Sequence, residues 1–311
     1  MRRIAITGIS GYIGSRLLSR LSETEGVERI VGIDVKPPRY SSPKLKFYCQ
    51  DISHPLGDVF AGNEVDTAVH LAFVLKPTHN RKNTRQVDVG GTLNFIEACR
   101  QAQVNHVLYL SSHTVYGAHP DNTQPLDEDS VLRPLSNFQY SRDKAEAERM
   151  LRDFTASQGS VCLTILRSCP VLGPNADNSI VTSMFKPVMI RIAGYDPPMQ
   201  FVHEADLVEF IITLLRQKKA GIFNIAGDGE LRYSQVARLS RRRTVVLPER
   251  FLRFIIGFSW TLRFQSESPT SGLEFIKYPP IVSTEKIKRE TGFQFSYSSR
   301  DAVVSFLSVR Q

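Results

Sequence analysis

The feature that most constrains the fold is a set of three glycines between a strand-like and a helix-like segment near the N-terminus. Residues 2–7, RRIAIT, predict a short buried strand, and residues 12–23 predict a helix. Gly8, Gly11 and Gly14 permit a tight turn, close approach of the backbone to a pyrophosphate, and close packing of helix on strand. The first helical turn offers free N–H groups and a positive dipole end to phosphates. This order predicts a dinucleotide-binding unit.

The next predicted strand ends in an acid. Asp34 follows the apolar run 29–33 and lies about 20 residues past the glycines, where an acid can accept both ribose hydroxyls of an adenosine. Its charge would also repel a 2′-phosphate, so Asp34 favours NAD over NADP, although Lys36 and Arg39 lie close enough to soften that preference. The alternative is a strand-end acid that caps a turn.

Along the rest of the chain, apolar strand-like runs alternate with helical patterns. Such alternation is typical of a mostly parallel sheet with helices on both faces. We therefore predict an α/β fold with a Rossmann-like, doubly wound parallel sheet and a small C-terminal substrate-binding cap. The predicted strands are 3–7, 29–33, 45–49, 66–71, 105–111, 161–167 and 222–226, and the predicted helices are 12–23, 84–103, 137–158, 204–218, 234–241 and one from about 284 to 292.

The alternation ends after Gly229, and Pro and Gly cluster at 170–174 and 194–198. We expect the chain to leave the sheet at these places and to form a second layer over the substrate cleft. The predicted dinucleotide-binding domain comprises residues 1–170 and about 200–228, and the predicted cap comprises residues 171–199 and 229–311.

Composition and charge exclude several classes of protein. The chain of 311 residues is 41% hydrophobic, enough for a sizeable core, but it has no run of about 18 apolar residues that would span a membrane. The first strand begins almost at once, so we expect no signal peptide. Four widely spaced cysteines indicate reduced thiols in a cytoplasmic protein and no metal site. The net charge of +8 is dispersed, and no nucleic-acid-binding motif is present.

A second motif, Tyr140-x-x-x-Lys144, lies in the run 137–158, which has no Pro or Gly and is rich in Ala, Glu, Arg and Leu. On a helix, residues four apart share one face. A fixed ammonium beside a phenol lowers the tyrosine pKa, so Tyr140 could donate and accept a proton near neutral pH. The alternative is a surface helix that forms ion pairs.

Further segments complete the pattern, and they occur in a fixed order. They are Asp51-Ile52, HLAF at 70–73, SSHTVYG at 111–117, LRSCPVLGP at 166–174 and FVHEAD at 201–206. With the glycines, Asp34 and the Tyr140 motif, they make the chain resemble an extended short-chain dehydrogenase/reductase of the NAD-dependent epimerase/dehydratase family. The resemblance covers residues 1 to about 228 closely and the last 30 residues loosely.

The resemblance implies proton-coupled hydride transfer with NAD. Ser112 would hydrogen-bond the reacting oxygen, Tyr140 would take or give its proton, and Lys144 would bind the nicotinamide ribose and hold the Tyr140 pKa down. A serine at a strand end can also bond only to backbone. The implied cofactor-binding residues are Gly8, Gly11, Tyr12, Ile13, Gly14, Asp34, Asp51, Ile52, Leu71, Ala72, Tyr140, Lys144, Pro170 and Val171.

Some residues depart from the family pattern. Asp88 stands where the family has Asn, and an ionised Asp cannot donate a hydrogen bond. Sugar-nucleotide epimerases usually carry an Asn at the position of Ser168 or Cys169 and often a basic residue at Gln200, so these residues weaken a nucleotide-sugar assignment. His203 and Asp206 are expected to cap or brace a helix, and His113 either shapes the substrate pocket or points outward.

We therefore predict an NAD-dependent oxidoreductase or epimerase that acts at a secondary alcohol or ketone carbon, with a nucleotide sugar as candidate substrate. One alternative is a reductase or hydroxysteroid-type dehydrogenase with a lipophilic substrate. The other is a non-catalytic dinucleotide-binding sensor or assembly protein. We expect a homodimer that packs through 84–103 and 137–158. The aromatic segment 251–264 suits a buried cap helix or contact with a lipophilic ligand or membrane surface, and a membrane partner is the less favoured alternative.

Overall fold

A seven-stranded parallel sheet forms the centre of the computed structural model, which describes residues 2–76, 78–178, 181, 184–264 and 270–310. The strands of the described residues are β1 (Arg3–Thr7), β2 (Arg29–Asp34), β3 (Leu45–Cys49), β4 (Thr67–His70), β5 (His106–Ser112), β6 (Cys162–Ser168), β7 (Val171–Leu172), β8 (Val188–Ile192), β9 (Pro198–Met199), β10 (Val202–His203), β11 (Gly221–Ile225), β12 (Leu231–Arg232) and β13 (Arg243–Leu247). The central sheet has the order β11-β6-β5-β4-β1-β2-β3. The predicted Rossmann-like, doubly wound sheet is confirmed, and each predicted strand of it agrees with the structure within one residue.

Helices cover both faces of this sheet. The helices of the described residues, which include those of the cap, are α1 (Tyr12–Glu23), α2 (Gly57–Ala61), α3 (Arg81–Arg85), α4 (Gly91–Gln101), α5 (Gln139–Gln158), α6 (Glu204–Gln217), α7 (Tyr233–Leu239), α8 (Glu249–Thr261), α9 (Gly272–Lys277), α10 (Glu285–Thr291) and α11 (Ser299–Ser308). On one face, Leu17 of α1 and Phe210 of α6 belong to a single buried apolar cluster. On the other face, Phe95 of α4 and Leu151 of α5 belong to a second cluster. The sheet is therefore apolar on both sides, as expected for parallel strands.

The predicted helix 84–103 is divided into three parts. Helix α3 is followed by a π-helical turn, Gln86–Gly90, and then by α4. The Asp88 side chain accepts a hydrogen bond from the backbone N–H of Val74 at 2.8 Å, outside the helix. Single π-helical turns inside helices often occur at functional sites. The turn places Asp88 next to the loop that follows β4.

The cap is built from short strands and helices outside the central sheet. Strand β8 pairs with β13 in parallel, and β12 pairs with β9 antiparallel. A separate apolar cluster, which includes Phe185, Phe201 and Phe306, lies beneath them. The two-part domain division stays a prediction. No helix among the described residues is long and apolar enough to cross a membrane.

Candidate active site

A cavity of about 870 Å³ opens at the carboxyl ends of the parallel strands, near the point where β1 and β4 lie side by side. Chain order runs outward from this point in both directions, and folds of this kind bind ligands in the crevice there. The predicted catalytic residues Ser112, Tyr140 and Lys144 all line the cavity. So do all the residues predicted to bind the cofactor: Gly8, Gly11, Tyr12, Ile13, Gly14, Asp34, Asp51, Ile52, Leu71, Ala72, Tyr140, Lys144, Pro170 and Val171. The structure brings the whole set together, and the role of each residue stays a prediction.

The glycine loop leaves no room for side chains. Gly8 has a φ of +76°, and a Cβ there would lie 2.7 Å from the backbone nitrogen of Ala72. A Cβ on Gly14 would overlap the carbonyl oxygen of Gly8. Gly11 is the N-cap of α1, and its N–H donates to the same oxygen at 3.1 Å. This backbone cradle beside a helix N-terminus fits the pyrophosphate of a dinucleotide.

Tyr12, the first residue of α1, connects the glycine loop to distant parts of the chain. Its hydroxyl donates a hydrogen bond to the Glu204 carboxylate at the start of α6. The same carboxylate accepts hydrogen bonds from the Asn175 side chain at 2.5 Å and from its backbone N–H at 3.2 Å. Burial and the adjacent Glu204 raise the pKa of Tyr12. The phenol is therefore a fixed hydrogen-bond donor between the loop and the segment that leads into the cap.

Asp34 is held in place by two backbone groups. One carboxylate oxygen accepts from the Ser10 N–H at 3.0 Å, and the other accepts from the Lys36 N–H at 3.4 Å. Asp34 thus caps a turn, as the alternative interpretation expects, and it also lines the cavity beside the loop. The two roles are compatible because a carboxylate has about four acceptor sites.

Ser112 and Tyr140 approach the cavity from different elements. Ser112 ends β5, and its hydroxyl accepts from the Thr114 backbone N–H at 3.2 Å and from the Thr114 hydroxyl at 3.0 Å. Tyr140 lies in the first turn of α5, with its ring edge-to-face against Phe73 at 5.8 Å between centroids. Burial raises the Tyr140 pKa, and a side-chain hydrogen bond with Ser112 offsets part of that rise. The serine thus bonds to backbone and also influences the phenol.

Lys144 is buried beneath this pair. Its Nζ donates to the Leu110 carbonyl oxygen at 2.6 Å and lies 3.8 Å from the centroid of the Phe73 ring. It is 6.0 Å from the centroid of the Tyr140 ring. Burial lowers the pKa of Lys144, and the charges of Asp88 and Glu148 only partly offset this decrease. The ammonium is positioned by the strand carbonyl and by aromatic faces.

The pKa of Tyr140 differs from the sequence prediction. The sequence predicts a pKa lowered by Lys144, whereas the structure raises it. The main cause is burial, which disfavours the phenolate, and the charge of Asp88 adds to it. Lys144 does not compensate because it is itself desolvated and distant from the phenol ring. The Tyr140 phenol is therefore protonated at neutral pH.

Asp88 is fully buried in the π-helical turn. Its Oδ1 accepts from the Val74 N–H, and its Oδ2 has no hydrogen-bond partner among the described residues. Burial raises the pKa of Asp88, and the positive charge of Lys144 offsets only part of this increase. Because Asp88 and Lys144 influence each other's titration, the two groups gain and lose protons as a coupled pair. A protonated Asp88 has an O–H that can donate, as an asparagine amide does.

Sequence reasoning missed a buried network behind the catalytic strand. Arg167 of β6 donates to Glu148 of α5 at 2.9 Å, to the Tyr116 hydroxyl at 2.9 Å and to the Glu128 carbonyl at 3.0 Å. Ser111 of β5 donates to the same Glu148 carboxylate at 2.5 Å. An arginine inside an apolar strand, and a glutamate one helical turn after Lys144, were the signals available in the sequence.

His203 and Asp206 brace α6, which confirms the prediction for both. His203 accepts from the Ala205 N–H at 3.2 Å as the N-cap, and Asp206 accepts from the backbone N–H groups of Ser296 and Tyr297 at 3.0 Å each. His113 lines the cavity and is buried, so the alternative that it points outward is wrong. Its burial lowers its pKa to about 4.

The cap side of the cavity is largely apolar. The Gln200 side chain donates to the Val282 carbonyl oxygen at 3.1 Å and accepts from the Val282 N–H at 2.8 Å, so its amide holds two segments together. Among the described lining residues, the cations are Lys144 and Lys186. The apolar cap residues of the lining include Val181, Met184, Met189, Ile192, Met199, Leu252, Ile256, Leu273 and Ile276.

Comparisons with known proteins identify the family to which the sequence is similar. The model of the NAD dependent epimerase/dehydratase family matches residues 4–226. An uncharacterized protein of Mycobacterium tuberculosis is 26% identical over 314 residues, covering 96% of this chain and 81% of that protein. UDP-glucuronic acid decarboxylase 1 of Arabidopsis thaliana is 28% identical over 333 residues, covering 98% of this chain and 69% of that protein.

Solved structures show the same fold. UDP-glucose 4-epimerase of Thermotoga maritima, solved with UDP-glucose, has a TM-score of 0.79 and 19% identity, covering 99% of this chain and 98% of that chain. MoeE5 in complex with UDP-glucuronic acid and NAD has a TM-score of 0.78 and 21% identity, with the same coverage of both chains. At such identities the likeness concerns the fold.

Proposed function

This chain belongs to the NAD-dependent epimerase/dehydratase family and is an NAD-dependent enzyme, and from that premise we propose that it transfers a hydride at a secondary alcohol or ketone carbon of a nucleotide sugar. The observation that carries the proposal is the convergence of Ser112, Tyr140 and Lys144 on the cavity that the glycine loop and Asp34 also line. The nucleotide-sugar substrate is supported by the names of the relatives, which include a UDP-glucuronic acid decarboxylase.

NAD would be held by the glycine loop at its pyrophosphate, by Asp34 at the adenosine ribose and by Lys144 at the nicotinamide ribose, and when bound it supplies the hydride acceptor or donor. Ser112 positions the reacting oxygen through its hydroxyl. In the reducing direction Tyr140 gives its phenolic proton to that oxygen, and in the oxidising direction its phenolate takes the proton back. The raised pKa of Tyr140 keeps the phenol protonated at neutral pH, ready for the reducing direction.

The buried acid at position 88 is compatible with this proton transfer. Burial raises the pKa of Asp88, which favours the neutral carboxylic acid. The neutral form keeps its acceptor oxygen on the Val74 N–H and has a donor on the partnerless oxygen. Asp88 can thus supply the donor that an asparagine supplies in the family pattern.

A second candidate substrate is favoured by a specific observation, the apolar lining on the cap side. A nucleotide sugar carries two phosphates, and among the described lining residues only Lys144 and Lys186 are cationic. The side-chain amide of Gln200 is bound to the backbone of Val282. A lipophilic secondary alcohol or ketone would bury more apolar surface against this wall.

The experiment that tests the function begins with calorimetric titration by NAD and, separately, by NADP. The NAD-loaded protein is then incubated with UDP-glucose, with UDP-glucuronic acid and with a sterol alcohol, while NADH absorbance and product chromatography are followed. We expect NAD to bind more tightly and a UDP-sugar to be converted. Conversion of the sterol alone would favour the lipophilic substrate over the nucleotide sugar. Failure of both cofactors to bind would favour the non-catalytic alternative.

The oligomeric state, location and domain division belong to the same proposal. We propose a homodimer that packs through α4 and α5, to be tested by light scattering at increasing concentration. A cytoplasmic location is supported by the four cysteines, which are all free thiols. The division between sheet and cap is supported by the β8–β13 pair, which lies outside the central sheet.

A further inference from the structure

Helix α8 presents a stripe of large apolar side chains to solvent. Phe251, Phe254, Ile255 and Phe258 recur at intervals of three and four residues and therefore share one helical face, and Leu262 continues it beyond the helix end. Their exposed fractions are 50%, 67%, 42%, 55% and 47%. The rings of Phe254 and Phe258 are stacked on each other at 6.0 Å between centroids. We call these five residues the α8 stripe.

The opposite face of α8 is used inside the protein. Leu252 is 3% exposed and belongs to a small apolar cluster with Ile192 and Leu273. Leu252, Ile256 and Ser259 also line the substrate cavity. The expectation of a buried cap helix is thus met on this face and wrong for the α8 stripe. A helix that is apolar on both faces is normally buried on both, and no described residue covers the stripe.

The exposed charged residues within 241–264 are all arginines. Residues 241–264 contain six arginines and a single acidic residue, Glu249. Glu249 is bound by Arg253 at 2.8 Å and by Lys277 at 3.1 Å, so its charge is neutralised within the cap. In contrast, Arg250 and Arg263 are exposed at the two ends of the stripe, and Arg241 and Arg243 are exposed just before it.

The combination of exposed aromatic side chains and exposed arginines identifies the occupant. A second copy of the chain, packed through the same patch, would bring like charges together, which disfavours association. An anionic lipid surface offers an apolar layer for the stripe and negative headgroups for the arginines. We propose that α8 and its flanking arginines dock this protein on anionic membrane surfaces, with the α8 stripe at the boundary between headgroups and acyl chains. This docking depends on neither the catalytic residues nor the identity of the substrate.

The test is flotation of the full-length protein with lipid vesicles. One set contains phosphatidylcholine alone, and the other contains equimolar phosphatidylcholine and phosphatidylglycerol. We expect the protein to float with the anionic vesicles and to remain with the soluble fraction when they are neutral. Raising the salt concentration should weaken the binding because the arginine contribution is screened.

Two variants separate the apolar from the electrostatic contribution. Phe254→Ser combined with Phe258→Ser should reduce partitioning on anionic vesicles roughly tenfold or more, because two exposed rings no longer enter the lipid. Val131→Ser is the matched control, since Val131 is 76% exposed outside the patch. Arg250→Gln combined with Arg263→Gln should also reduce binding, whereas Arg216→Gln, an exposed arginine at the end of α6, should not.

Each variant is first titrated with NAD, so that loss of folding is distinguished from loss of docking. Absence of wild-type flotation with anionic vesicles overturns the proposal. So does equal flotation of the wild type and the double phenylalanine variant. If the wild type binds no vesicles but forms concentration-dependent oligomers that the double variant lacks, a second copy covers the stripe instead. A failure of catalysis with intact flotation would leave docking established and would count only against the proposed function.

Discussion

The two sides of the cavity are built in different ways. On the sheet side, Gly8, Asp34 and Ser112 lie at or just after strand ends. The side chains of Asp34 and Ser112 are fixed there because each accepts a hydrogen bond from a backbone N–H group. On the cap side, residues such as Met189 and Leu252 come from a short strand and a helix whose side chains meet through apolar contact. The sheet side therefore holds the proposed reacting groups through backbone hydrogen bonds, while the cap side contributes an apolar lining whose side chains can be substituted without removing those bonds.

The largest expected effect is on the sheet side. Tyr140→Phe should lower kcat by roughly 10²- to 10⁴-fold, because it removes the proton donor, and should leave NAD affinity nearly intact. The matched change on the cap side is Tyr233→Phe, which removes a hydroxyl that donates to the Ile190 carbonyl oxygen at 2.9 Å. This second variant should change KM more than kcat. Steady-state kinetics and NAD titration measure both, and equal kcat losses would remove the distinction between the two sides.

The next effect concerns the stability of the sheet side. Glu148→Gln should lower the free energy of unfolding by about 3 kcal/mol or more, because it leaves Arg167 buried without its countercharge. The control is Glu146→Gln, which breaks an exposed ion pair with Arg85 and should cost about 1 kcal/mol or less. Urea unfolding of the three proteins measures the difference. Similar losses in both variants would show that the buried network does not support the catalytic strand.

A smaller effect is expected at the ribose position. Asp34→Ala should weaken NAD binding by about ten- to a hundredfold, since hydrogen bonds to a charged carboxylate are lost. NADP serves as the internal control because its 2′-phosphate gains from removal of the negative charge. Calorimetric titration with both cofactors decides the question. Equal losses for NAD and NADP would eliminate the basis for NAD preference.

The smallest predicted effect is a shift in pH dependence. The raised pKa of Asp88, about 7, lies below that of Tyr140, so Asp88 is charged when Tyr140 titrates. This charge raises the Tyr140 pKa, so Asp88→Asn should lower it. Oxidation requires the phenolate, and its rate rises as pH passes the Tyr140 pKa. The rising limb of the pH profile for kcat in the oxidising direction should therefore move to lower pH. An unchanged profile would indicate that Asp88 remains neutral even at the pH where Tyr140 titrates.

The sequence predicts the sheet side far better than the cap side. Strand positions follow from short apolar runs, and the glycine loop follows from steric limits that act over a few residues. The π-helical turn at Asp88 could not be predicted because it depends on a hydrogen bond to Val74, fourteen residues away. The sign of the Tyr140 pKa shift depends on burial, which only the assembled fold defines.

Prediction of the cap from sequence is limited for the same physical reason. The apolar pattern of 251–264 is compatible with a cap helix but does not indicate which of its faces is covered, because both faces are apolar. The pairing of Arg167 with Glu148 joins a strand and a helix whose contact depends on the sheet being complete. Residues whose environment comes from neighbours along the chain were predictable, and residues whose environment comes from distant segments were not.

The hydrogen bond between Tyr12 and Glu204 has a consequence for how the protein is made. The two residues are 192 positions apart, so the ribosome releases the glycine loop long before it synthesises the acceptor of the Tyr12 hydroxyl. Domains generally fold from the N-terminus during synthesis. Here, however, the Tyr12 hydroxyl can gain its Glu204 acceptor only after α6 has been synthesised. Anchoring of the glycine loop, and with it cofactor capture, is therefore expected to follow the synthesis of α6.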